Sequence, residues 1–164
     1  FTMAKVSTEG KTTEEKMAMA EEISKGYFKQ GLNCAECVFR TFADMHDINL
    51  PDEVITLTTG FGGGMGHTKN TCGAITGAVM ALGTVKGRRN PFEHEEMKDR
   101  IAQLQKEIYP VFGEMVNEIK DEYGTLICSE LSDPFGDFAG KARKKNCMQM
   151  IAHCSAVATK YADR

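Results

Sequence analysis

The run Gly60-Phe61-Gly62-Gly63-Gly64-Met65-Gly66 carries five glycines in seven residues. Such a stretch belongs neither to a stable helix nor to a strand, because glycine loses more backbone freedom on ordering than any other residue. It predicts a loop with unusual backbone angles, or a place where backbone passes close to something else. On either side apolar residues recur at helical spacing, while β-branched alternation is scarce. The chain therefore reads as helices assembled around one irregular loop.

A first helix over 13–29 opens at Thr13 and puts Met17, Ala20, Ile23 and Tyr27 on one face, with Gly31 ending the unit. A second runs from Asn33 to Met45, with Cys37, Val38, Thr41, Phe42 and Met45 on its inner stripe. Pro51 begins a short third helix ending near Thr58, and a fourth spans Thr71 to Val85 after the glycine run. Pro91 to Tyr123 is long and amphipathic, with Ile101, Leu104, Ile108, Val111, Met115 and Ile119 as its apolar face. Pro110 falls within that pattern and predicts a kink or break. Gly124 is a cap, Cys128 lies just beyond in a short connection, and Asp133-Pro134-Phe135-Gly136 marks a turn. The last helix covers Lys141 to Tyr161. The expected fold is all-α, a compact single-domain bundle of about six helices over residues 13–162 with a Gly-rich loop. Residues 1–12 read as a disordered tail, with Met3 as the native start and Phe1 and Thr2 a remnant of cloning or of a longer chain.

A net charge of −3 leaves no electrostatic footprint for nucleic acid. No run approaches the roughly 20 apolar residues of a membrane span. The first residues lack the apolar core of a signal peptide, so a cytoplasmic location is expected. In that compartment six cysteines are an excess, and such a set points to metal binding or redox work rather than structural disulfides.

Three of the cysteines follow a good N-cap residue: Asn33-Cys34, Thr71-Cys72 and Asn146-Cys147. Asn33 and Glu36 form a capping-box pattern. A thiol in a first helical turn meets unpaired backbone N–H groups and the positive end of the helix dipole, which favours thiolate. At Cys147 the cations Lys141, Arg143, Lys144 and Lys145 could extend the helix backwards, and they too favour a negative sulfur. Cys34 and Cys37 form a CxxC, which suits a dithiol couple or half of a metal site. Val38 stands where a haem ligand would follow, so haem attachment is excluded. Cys154 reads as core. Gly73, Gly77 and Ala81 are four apart and permit close approach of another helix, either within the chain or in a homodimer. The glycine run is not a phosphate loop, since Gly66 is followed by His67-Thr68 and no GxGxxG register fits. Instead Gly62, Gly63, Gly64, Gly66 and Gly73 are candidates to let backbone approach a bound cofactor or the cysteines. His67 is a candidate ligand or proton shuttle.

Gly31-Leu32-Asn33-Cys34, the Gly60–Gly66 run, Cys72-Gly73-Ala74-Ile75-Thr76-Gly77, the stretch from Gly124 to Cys128-Ser129-Glu130-Leu131, and Asn146-Cys147 occur in one order that resembles a known family. It is the bacterial and archaeal family of redox-active proteins named for its C_GCAxxG_C_C cysteine pattern. The resemblance covers residues 15–160 and implies a helical protein whose signature cysteines are Cys34, Cys72, Cys128 and Cys147. The same pattern looks related to a domain of split-Soret cytochromes, which implies an iron–sulfur or other metal site as an alternative. Cys37 and Cys154 depart from the four-cysteine pattern.

Two functions follow as expectations. One is a thiol–disulfide oxidoreductase in which Cys34 or Cys72 attacks and Cys37, Cys128 or Cys147 takes part, acting on a redox partner protein or a small molecule. The other is a binding module in which Cys34, Cys72, Cys128 and Cys147 hold zinc or an iron–sulfur cluster.

Overall fold

The computed structural model describes residues 5–164; the first four residues, including Met3, lie outside that range. The elements run α1 (Thr13–Lys29), α2 (Cys34–Met45), a 3₁₀ turn (Asp52–Ile55), α3 (Thr56–Thr59), α4 (Gly62–Met65), α5 (Gly73–Lys86), α6 (Met97–Gln103), α7 (Tyr109–Tyr123), α8 (Cys128–Ser132) and α9 (Lys141–Ala162). Among the described residues there is no strand, only an isolated antiparallel bridge between Thr71 and Ile127. The all-α expectation holds. Residues 5 and 6 are tied to the end of α2: Lys5 pairs with Asp47, and Val6 N–H donates to the Asp44 carbonyl at 2.6 Å.

The helices start where the chain supplies caps. Thr12 and Glu15 form a reciprocal capping box on α1, which opens at Thr13 as its pattern implies. Asn33 and Glu36 do the same for α2, through bonds of 2.9 and 3.0 Å. Asn33 Nδ2 also donates to the Thr59 carbonyl, and Thr59 Oγ1 to Glu36, so the start of α2 is fastened to the end of α3.

α9 is the centre of the bundle. From Met150 to Tyr161 nearly all of its residues are buried, as expected of a helix covered on all sides. α1, α2, α5 and α7 pack on it. α5 crosses α2 closely because Gly77 has no side chain: a Cβ there would stand 2.9 Å from the Ala35 carbonyl oxygen and 3.0 Å from its Cα. Ala74, Ala78 and Ala81 are fully buried. The small-residue face is thus consumed inside the chain, and the homodimer surface expected there does not exist as a free face.

Two expectations change along α6 and α7. The break at Pro110 takes the form of a π-helical turn at Leu104–Ile108 just before it. Proline has no N–H and its ring crowds the carbonyl four residues back, so the helical ladder widens there. The apolar face is also only half used: Met115 and Ile119 are fully buried, whereas Ile101 is 46% exposed because α6 stands off the core.

Candidate functional site

The glycine run forms a turn of the opposite hand to every other helix in the protein. Gly63, Gly64, Met65, Gly66 and His67 all have φ between 64° and 72°. Its amides close back on the loop, with His67 N–H on the Gly62 carbonyl at 3.2 Å and Asn70 N–H on that of Gly64 at 3.0 Å. A left-handed turn costs L residues about 1–2 kcal/mol each, and glycine removes that cost at three of the five positions. Met65 and His67 bear it.

This turn sets its backbone against the cysteines. A Cβ on Gly64 would stand 2.8 Å from the Cys128 Cβ and 2.6 Å from the Asn70 nitrogen. A Cβ on Gly73 would overlap the Cys34 sulfur and stand 2.7 Å from the Phe61 carbonyl oxygen. The bridge of Thr71 to Ile127 completes the frame: Cys72 N–H donates to the Leu126 carbonyl at 2.8 Å, and Cys128 N–H to that of Asn70 at 2.5 Å. Cys72 and Cys128 are therefore diagonal neighbours on the same side of a minimal antiparallel pair.

Cys34, Cys72, Cys128 and Cys147 line one cavity of about 410 Å³. Gly62, Gly63, Gly66, Gly73 and His67 line it as well. Gly64 does not; it is the packing point under Cys128. Cys37 is also absent from the wall. It is fully buried in the hydrophobic core, its Sγ donating to the Leu32 carbonyl at 3.5 Å. One turn along α2 carries it past the cavity. Cys154 is equally buried in the core. All six cysteines are free thiols.

Of the three thiols expected at helix starts, one lies as expected and two do not. Cys34 is the first residue of α2, as expected. Cys72 is itself the cap of α5, and Cys128, expected in a connection, opens α8. Cys147 lies two turns inside α9, because Lys141 and its neighbours extend the helix backwards. The electrostatic consequence also reverses. Burial pushes the Cys34 thiol up, against backbone N–H groups led by that of Gly63. Burial pushes Cys72 up to about 12, although the amides of Ala74 and Ile75 oppose it. Cys128 is raised as well, again mainly by burial. Desolvation outweighs the helix start.

Cys147 has a different neighbourhood. Arg143, one turn earlier on α9, donates from Nη1 to the Cys147 sulfur at 3.4 Å. Its guanidinium lies over the Phe138 ring at 3.6 Å and its Nε donates to the Phe138 carbonyl. His67 meets Phe138 edge-on, with ring centroids 4.3 Å apart. The i, i+4 spacing of Arg143 and Cys147 was the sequence signal for this pair. Phe138 gave none, since it follows a turn with no periodic pattern.

Zinc or an iron–sulfur cluster would need several of these thiols to converge. Among the described residues no three His, Cys, Asp or Glu side chains are grouped so as to hold a metal ion. The four sulfurs line the wall without closing into the ligand set that the metal reading requires.

Fold and site together define an all-helical protein with a cysteine-lined cavity. The chain matches the family model described as "Putative redox-active protein (C_GCAxxG_C_C)" over residues 32–161, and it belongs to that family. Its role is accordingly redox-related. No curated protein and no solved structure matches it. No helix among the described residues is long and apolar enough to cross a membrane.

Proposed function

We propose that the chain is a thiol–disulfide oxidoreductase acting on a small disulfide that enters the cavity. What carries the reading is that four thiols from four separate segments line one cavity, and that one of them, Cys147, accepts from a guanidinium. The attacking thiol is Cys147, which faces the Arg143 guanidinium, rather than Cys34 or Cys72, whose thiols burial raises. Arg143 holds its charge to the sulfur as negative charge develops there.

The Cys147 thiolate attacks one sulfur of a disulfide R–S–S–R. The substrate S–S bond breaks, a Cys147–S–S–R bond forms, and the first thiolate leaves, taking up the proton that Cys147 lost. Cys34 then attacks the Cys147 sulfur. Its sulfur is close enough to Cys147 for a charge on one to raise the other, and the Gly63 amide stabilises the anion it must form. A Cys34–Cys147 disulfide results, and the second thiol departs with the proton of Cys34. Two electrons pass from the protein to the substrate, and an external dithiol restores the reduced form while becoming a disulfide itself.

Oxidising the anaerobically reduced chain with excess small disulfide should remove about two thiols per chain, restored by a dithiol. Cys147→Ser should abolish that loss. The reading fails if wild type loses no thiols. It also fails if protein purified without oxygen carries stoichiometric iron and sulfide with visible absorption.

A further inference from the structure

The cavity is electrostatically one-sided. No aspartate or glutamate lines it, whereas Arg143 does, in a chain whose net charge is −3. Arg143 is held in place before any ligand arrives: Nε is engaged by the Phe138 carbonyl, Nη1 by the Cys147 sulfur, and the plane rests on the Phe138 ring. A guanidinium fixed in this way loses little freedom on binding a carboxylate. Its Nη2 has no hydrogen-bond partner among the described residues, and none of their ion pairs includes Arg143. The group is half-buried, so solvent screens it less than a surface cation. The volume, about 410 Å³, is that of a small-molecule site rather than a protein-docking face.

We infer that the cavity selects small disulfides that carry a carboxylate, bound through Nη2 of Arg143 beside the sulfur that Cys147 attacks. This rests on the thiol–disulfide reading and adds the substrate class to it. One guanidinium spans the attacking sulfur and the carboxylate, so the acid group must lie within a few bonds of the disulfide. The apolar remainder of the wall, including Phe28 and Met150, accommodates the substrate's carbon atoms. The same contact sets the order of events: the carboxylate docks, the substrate S–S bond lies against Cys147, and exchange follows with the electron balance given above.

The test is a charge series on the reduced full-length chain. Dithiodiglycolate, hydroxyethyl disulfide and cystamine supply an anionic, a neutral and a cationic substrate. The rate of protein thiol loss with each is divided by its rate with a free small thiol. The expected order is anionic, neutral, cationic, with about 10-fold or more between the extremes at low salt and less at high salt. The overall negative charge of the chain would by itself give the reverse order. Arg143→Gln should collapse the spread, and Arg143→Lys should keep part of it by retaining charge without the fork. Equal normalised rates, or cystamine fastest, would overturn the inference. No thiol loss with any of the three would instead sink the underlying thiol–disulfide reading, and this inference with it. Should Arg143→Gln fail to fold, the salt dependence of the wild-type series and the Arg143→Lys rates decide the matter alone.

Discussion

On one wall of the cavity, Cys34 and Cys72 sit where α2 and α5 begin, Cys34 facing the Gly63 amide of the glycine turn and Cys72 the amides of Ala74 and Ile75. On the other, Cys147 lies inside α9 with Arg143 donating to its sulfur. The first wall offers its thiols main-chain amides, and the second offers a full charge on a side chain. The backbone wall reaches close packing only by excluding water, and that exclusion raises its thiols more than the amides lower them. Cys147, half-buried like Cys34 and Cys72, differs from them in facing a guanidinium. A helix start is therefore a weaker promise of reactivity than it looks, wherever the packing that presents the thiol also desolvates it.

The sharpest way to break this contrast is to alkylate the reduced protein and map the products by mass spectrometry. A thiol held near 12 has far less thiolate at neutral pH than an ordinary cysteine, only partly offset by its greater intrinsic nucleophilicity. Cys72 should therefore react about 100-fold more slowly than an ordinary cysteine, and Cys147, beside the Arg143 guanidinium, should be labelled ahead of it. The Cys72 rate should go on climbing through pH 10 without levelling. Equal rates would erase the distinction between the walls.

The backbone wall can also be probed through its glycines. Gly73→Ala drives a methyl group into the Cys34 sulfur and the Phe61 carbonyl, and should cost about 2–3 kcal/mol in urea unfolding. Gly66→Ala meets no neighbour and carries only the strain of its positive φ, about 1 kcal/mol. Similar losses at the two sites would mean that the approach of α5 to Cys34 is not tight.

A smaller effect appears at alkaline pH. In the unfolded chain Cys37 and Cys72 ionise near the ordinary 9.0, whereas the folded protein holds both protons to about 12. Above pH 9 the unfolded state therefore binds fewer protons, and stability falls as pH rises toward 12 while remaining intact below 9. The slope is about 1.4 kcal/mol per pH unit for each such thiol. Cys37→Ala should flatten the decline measured by denaturant titration; an unchanged slope would place Cys37 in a wetter setting than the core.

Much of this was legible in the sequence because it is local. The Asn33–Glu36 box, the break before Pro110 and the Gly77 crossing each depend on residues a few positions apart, and each produced what its pattern implied. The four cysteines that the family resemblance implies share a cavity. What stayed hidden depends on distant partners. Cys37 fits a CxxC equally well facing a cleft or the core, and only the packing of α2 chose the core. The standoff of α6 exposes Ile101 although its periodicity is that of a buried face. The raised thiols of Cys34 and Cys72 reflect how much of the rest of the chain covers them, which no helix-start rule contains.

The left-handed turn has a consequence of its own. Gly66, at φ 64° and ψ 34°, occupies backbone space that belongs by preference to D-amino acids. A chemically synthesised chain with D-alanine at that position would find its preferred conformation already native. It would also give up fewer unfolded states on folding than glycine does. The loop that looks in sequence like the softest part of the molecule is thus a place where inverted stereochemistry at one centre would stiffen it.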